Sequence, residues 1–154
     1  MTDLQMRYPG DVATPNEVVR LADEYQRAAL TIAPLGRRGH PISRAPYRLT
    51  AIHAIELYLN GLLLHAGHEP GRIRGLQHDL AARAELAASS GLALRKRTAD
   101  HLKAMAGARE YLVTRYGPEL SSTLSQINRL EATLDEVATK VRKFVQSTPR
   151  KPVT

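Results

Sequence analysis

Residues 46–67 read PYRLTAIHAIELYLNGLLLHAG, and the fold follows from this stretch. Ile52, Ile55, Leu59, Leu62 and Ala66 recur at alternating intervals of three and four, which places them on one buried helical face. Pro46 suits a first turn, and Gly67 with the Glu69-Pro70-Gly71 turn ends the run, so the spacing predicts a helix over 46–66. His53, Glu56, Asn60 and His65 interrupt the apolar sequence, which is too short and too polar to cross a bilayer. It reads instead as the core helix of a bundle.

On the N-terminal side, Thr14-Pro15-Asn16-Glu17 is a capping box with proline at the first helical position. It opens a helix over 15–32 whose expected buried stripe is Val18, Leu21, Tyr25, Ala28, Ala29 and Ile32. Pro34, Gly36, Gly39 and Pro41 mark a basic loop before the core helix. On the C-terminal side a third helix is predicted over 78–90, with Asp79 in its first turn and Gly91 just past its end. A fourth covers 94–116 and is closed by Gly117-Pro118. A fifth runs to about Val145, near 40 Å at roughly 1.5 Å per residue. Two seams follow it at intervals of seven: Leu120, Ile127, Leu134 and Val141, and beside them Leu130, Val137 and Phe144. No strand pattern competes. The expectation is an all-α antiparallel up-and-down helical bundle over 15–146, with an N-terminal arm at 1–14 and a disordered basic tail at 147–154.

The charge of the chain points to its partners. Its 154 residues carry 22 Lys and Arg against 15 Asp and Glu, a formal charge of +7. Between Glu24 and Glu56 lie Arg27, Arg37, Arg38, Arg44 and Arg48 without one acid. Arg95-Lys96-Arg97 and the stretch from Lys140 to Lys151 add two further basic clusters. This balance favours an anionic partner, nucleic acid first, and the plain alternative is a solvated basic surface. There is no cysteine, hence no disulfide framework and no thiolate metal site. The opening residues do not read as a secretory signal, and a cytoplasmic protein without membrane contact is expected.

On a helical wheel His53, Glu56 and Asn60 share one face of the core helix. In the fourth helix Arg109 falls within the stripe Leu102, Met105, Ala106, Leu112, Val113 and Tyr116. A guanidinium on a core-facing stripe needs an anion or must reach out to water. Glu56 is the expected partner. The pair either fixes the register of the bundle or belongs to a polar pocket in which Arg109 holds a phosphate.

Residues 46–118 resemble a HEPN domain, a helical-bundle family of bacterial toxin, defence and nucleotide-binding proteins. The resemblance rests on Ala54-Ile55-Glu56-Leu57 followed by an Asn-Gly-Leu-Leu-Leu run, on the His78-Asp79-Leu80 turn, and on Arg115-Tyr116-Gly117-Pro118 at a helix end. It implies an antiparallel bundle, here with an extra N-terminal helix and a long C-terminal helix, usually as a homodimer. It also implies that members either cleave RNA without metal or bind nucleotides. The nuclease members carry an arginine followed, after four to six intervening residues, by a histidine. After Arg109 those positions hold Thr114, Arg115 and Tyr116.

Other Arg–His spacings occur at Arg48/His53, Arg72/His78 and Arg95/His101, but 17 arginines and six histidines produce them readily. His53-x-x-Glu56 and His65-x-x-His68 have ligand-like spacing without the second carboxylate pair that a bundle metal site uses. Gly71 to Gly75 lacks the lysine of a phosphate loop, and there is no nucleophile-elbow motif. Tyr47, between Arg44 and Arg48, has the setting of a base-stacking residue. A helix-turn-helix reader beginning at Arg95 is a rival reading, although that helix looks internal.

The reading is a dimeric RNA- or nucleotide-binding module with no resident cofactor or metal. Its ligand-binding candidates are Arg109, Arg115, Tyr116, Glu56, Asn60 and His78. A metal-independent endoribonuclease using Arg109 and His78 is the enzyme alternative, and a dimeric interaction scaffold is the third.

Overall fold

A computed structural model describes residues 7–153 of the chain. Among these residues there are seven α-helices and three short 3-10 turns but no strand; an isolated bridge pairs Arg37 with His40. The helices are α1 (Pro15–Ile32), α2 (Ala45–His65), α3 (Pro70–Gly75), α4 (Leu80–Ser89), α5 (Lys96–Gly107), α6 (Glu110–Tyr116) and α7 (Ile127–Ser147). No helix among them is long and apolar enough to cross a membrane.

Helix α2 is the axis of the fold. Ile52, Ile55, Leu59 and Leu62 are buried as the spacing predicts, and so are Ala51, Ala54, Tyr58 and Leu63. It is apolar around most of its circumference because α1, α4, α6 and α7 all pack on it. Tyr47 is buried with it. Burial pushes its phenol up to about 12, and it offers no exposed ring for a base.

Helix α1 starts where the capping box predicts. Thr14 N–H donates to Glu17 Oε1 at 2.8 Å, and Glu17 N–H donates to Thr14 Oγ1 at 3.1 Å. Its buried face is rotated from the expected one. Pro15, Val19, Ala22 and Ala29 face the core, while Leu21 and Tyr25 are 49% and 37% exposed. The close approach of α1 to α2 decides this. A Cβ on Gly61 would lie 2.8 Å from Val19 Cγ2, so only small residues fit the crossing. The rotation also points Asp23 and Gln26 inward. There Tyr58 Oη donates to Asp23 at 2.5 Å, and Arg142 of α7 donates to Asp23 through Nε at 2.7 Å and to Gln26 through NH2.

The two long C-terminal helices predicted from sequence are both broken. The stretch 94–116 divides into α5 and α6 at Arg109, whose φ of 50° is left-handed. The stretch after Gly117 is first a 3-10 turn, Pro118–Thr123, and becomes α7 only at Ile127. One buried carboxylate joins the two breaks. Glu110, 2% exposed, accepts from Ser125 N–H at 2.7 Å and from Ser125 Oγ at 3.0 Å. Ser125 Oγ in turn meets His101 Nε2 at 2.9 Å, and His101 Nδ1 meets Thr133 Oγ1 at 2.7 Å. An uninterrupted helix could not turn Glu110 toward Ser125 while keeping Leu102 and Met105 in the core. The seam residues Leu130, Leu134, Val137 and Val141 are buried within the chain itself, so α7 offers no free apolar seam to a second copy.

The described segments nearest each end are docked. Arg74 donates to Asp11 at 2.5 Å and lies over the Tyr8 ring. Of the expected arm, residues 1–6 lie outside the described residues. The segment read as a disordered tail lies against the end of α2: His65 Nε2 donates to Thr148 O at 2.6 Å and Lys151 N–H to His65 O at 2.9 Å. Thr154 is outside the described residues.

Burial holds the His101 and His53 imidazoles below their usual value of 6.5. The nearby Arg48 and Arg129 act in the same sense on His101, and Arg115 and His78 on His53; Glu110 and Glu56, respectively, oppose. The folded state therefore binds fewer protons than the unfolded chain just below pH 6.5. The stability these groups contribute is fully present above that pH and is lost as pH falls through the folded values. Urea midpoints should fall steadily from pH 7 to pH 5, and His101→Gln should flatten part of that slope. A midpoint independent of pH across this range would contradict the lowered imidazole values.

Candidate functional site

The site forms where α2, the α3–α4 turn and the α5–α6 break meet. Glu56, on α2, is buried, with its Oε1 3.0 Å from His78 Nδ1. A carboxylate accepts, so Nδ1 carries the proton of this bond and Nε2 is the nitrogen left facing away from Glu56. Nε2 has no protein partner among the described residues. His78 is set in place by local geometry on both sides. Gln77 before it has a left-handed φ of 52°, which reverses the chain after α3. Asp79 after it is the N-cap of α4, accepting from Ala82 N–H at 3.0 Å, rather than a first-turn residue. The Tyr111 ring of α6 lies 4.8 Å from the imidazole at a 33° tilt.

An open cavity of about 440 Å³ adjoins this pair. His78, Lys103, Arg109 and Tyr111 line it, with Gln77 and Asp79 at its edge. Asp79 is the carboxylate on that lining, and its Oδ1 is engaged by the α4 cap. Both non-glycine residues with left-handed φ among those described, Gln77 and Arg109, border this one cavity. Each left-handed residue costs roughly 1–2 kcal/mol, and such strain concentrates where side chains are held for a purpose.

The expected Glu56–Arg109 ion pair is absent. Arg109 is exposed because the α5–α6 break removes it from the stripe that an unbroken helix would give it. The buried guanidinium near Glu56 belongs to Arg83, 2% exposed on α4. Its Nε donates to Asn60 Oδ1 at 2.7 Å and its NH1 to Asp79 O at 3.3 Å. Burial pushes the Arg83 pKa down, and the negative charges of Glu56 and Asp79 push it back. Sequence reasoning missed Arg83, although its signal was present. Leu80, Arg83, Ala84 and Ala87 form one helical face, and all four are buried. Lys103 was also passed over; it lies one turn before Gly107, on the open side of α5.

The remaining candidates divide. Glu56, Asn60 and His78 gather with Arg83, whereas Arg115 and Tyr116 stand at the far end of α6, about 10 Å along its axis from Arg109 at roughly 1.5 Å per residue. No bond joins Arg48 to His53, Arg72 to His78 or Arg95 to His101 among the described residues. His53 packs its ring edge-on against Tyr25 at 4.5 Å. No three His, Asp or Glu side chains gather closely enough to hold a metal among those residues. Set against known proteins, the chain matches no protein-family model, no curated protein and no solved structure.

The two arginines should respond oppositely to mutation. Arg83→Ala leaves Asn60 and backbone carbonyls without their donors and a buried carboxylate without its nearby cation, and should lower the unfolding free energy by about 3–5 kcal/mol. Arg109→Gly relieves a left-handed side chain and should leave stability unchanged or raise it by up to about 1 kcal/mol. Urea unfolding of both variants checks this. An Arg109→Gly loss as large as that of Arg83→Ala would restore the buried ion pair.

Proposed function

We propose that the cavity binds the phosphate of RNA or of a nucleotide, and that the chain is a HEPN-like, cytoplasmic binding module acting as a homodimer. The observation that carries this reading is the convergence of Lys103, Arg109 and His78 on one cavity beside the Tyr111 ring. Two cations supply the charge for a phosphate, and the strained backbone at Arg109 holds its guanidinium out of the core. Titrating adenosine monophosphate into the protein should show binding that weakens with salt and disappears in the Lys103→Ala/Arg109→Ala variant. Both side chains are exposed, so the fold should survive, as circular dichroism would check. Unchanged binding in the double variant would reject the cavity.

A second reading is favoured by the Glu56–His78 bond. An imidazole with Nδ1 held by a carboxylate has the form of a general base for a ribose 2′-hydroxyl, and Arg109 or Lys103 would stabilise the charge that builds on phosphorus. On this reading His78, supplied by the α3–α4 turn, replaces the histidine that does not follow Arg109 in sequence. RNA incubated with the protein under chelator separates the two. Cleavage abolished by both His78→Ala and Arg109→Ala supports the ribonuclease, and binding without cleavage supports the module. Neither binding nor cleavage would leave the interaction scaffold.

The homodimer in this proposal is carried by the apolar flank of α1, where Leu21 and Tyr25 are exposed, and not by α7. Leu21→Arg should convert a species of twice the 17.0 kDa chain mass into a folded monomer in sedimentation. Leu134→Arg, at a position 1% exposed, should unfold the bundle instead. A wild-type monomer at micromolar concentration would remove the dimer.

A further inference from the structure

The short turns that follow α1, precede α2 and follow α6 carry a surface that the cavity does not use. The 3-10 turn Ala33–Leu35 after α1 packs on the turn Pro41–Arg44 before α2, and that turn packs on Pro118–Thr123 after α6. Four large apolar side chains stand out from these pieces: Leu35, Ile42, Leu120 and, 74% exposed at the end of α6, Tyr116. Arg37, Arg38, His40 and Arg115 are exposed on the same segments, and Glu119 is the one carboxylate in 33–44 and 115–123.

The basic turn is built rather than loose. Ser43 Oγ donates to His40 O at 2.6 Å and accepts from Arg37 N–H at 2.7 Å, which closes the Arg37–His40 bridge. Gly39 takes the left-handed φ of 78° that the turn needs. Gly36 is pressed against Arg44, where a Cβ would come within 2.6 Å of the Arg44 side chain. Arg37 and Arg38 are thus presented on a fixed turn, which lowers the ordering entropy lost on meeting a polyanion.

We propose that the ligand of this protein is a single-stranded polynucleotide rather than a mononucleotide. One phosphate occupies the Arg109 cavity, the strand runs along α6 past Arg115, a base stacks on Tyr116, and later phosphates meet Arg37 and Arg38. The inference rests on the phosphate reading of the cavity and adds its second contact surface. An exposed ring beside fixed cations is what sequence-tolerant single-strand binding requires. The charge selects the occupant, since a surface with one carboxylate among four exposed basic side chains repels an acidic strand least.

The test compares adenosine monophosphate with an oligoadenylate about 12 nucleotides long, within the roughly 4–16 nucleotides that single-strand sites span. The oligomer should bind at least tenfold more tightly to the wild type. Tyr116→Leu, which keeps the surface apolar but removes the stacking ring, should lose about tenfold for the oligomer and nothing for the monophosphate. Arg37→Ala/Arg38→Ala should reduce the salt slope of oligomer binding by about 1.4, at roughly 0.7 per lost single-strand phosphate contact. Equal affinity for the two ligands in the wild type would overturn the inference and leave the cavity intact. Binding of neither would remove both readings. Tight binding to anionic phosphatidylserine vesicles that survives Tyr116→Leu, with oligomer affinity unaffected by any of these variants, would assign the surface to lipid and overturn the proposal.

Discussion

Helix α2 buries fourteen of its residues, and polar side chains buried with it are costly unless the rest of the chain supplies partners; most have one, while Tyr47 Oη and Arg48 NH1 are buried without a hydrogen-bond partner among the described residues. Six polar side chains of α2, inside or at the edge of the core, face other parts of the chain. Tyr58 draws in Asp23 of α1 and Arg142 of α7. Glu56 holds His78 of the α3–α4 turn, Asn60 accepts from Arg83 of α4, and His65 binds the segment after α7. Arg48 lies in the field of Glu110 of α6, and His53 packs on Tyr25 of α1. Much of the architecture can be read as the set of partners these groups demand.

The site comes from the same demand. Because Glu56 is buried, its partner must be brought to it, and the left-handed turn at Gln77 delivers His78. Glu110 reaches Ser125 across the α5–α6 break, and the same break places Arg109 in a left-handed conformation on the cavity wall. Arg109 is thus exposed on the cavity next to a residue, Glu110, that is buried. Such an arrangement separates the buried Arg83, which joins α4 to α2, from the exposed Arg109 on the cavity wall. A histidine and an arginine that are far apart in sequence come to line one cavity, which gives the phosphate-binding and ribonuclease readings a common geometric basis.

The sequence by itself determined that the chain is helical and where α1 and α2 begin. The capping box of α1, the three-and-four spacing of α2 and the glycines after α2 and α4 act within one or two turns, so their effect is readable without knowing the neighbours. It also marked Glu56, Asn60 and His78 as polar groups that would matter. The tertiary structure alone decided which arginine is buried near Glu56, where helices 94–116 and 118–145 break, and which face of α1 is buried. Each of these depends on a contact between residues distant in sequence: Glu110 with Ser125, Asn60 with Arg83, Val19 with Gly61. A helical wheel assumes an unbroken helix. One buried carboxylate that must reach a serine fifteen residues away is enough to end that assumption and turn Arg109 from the core to the cavity.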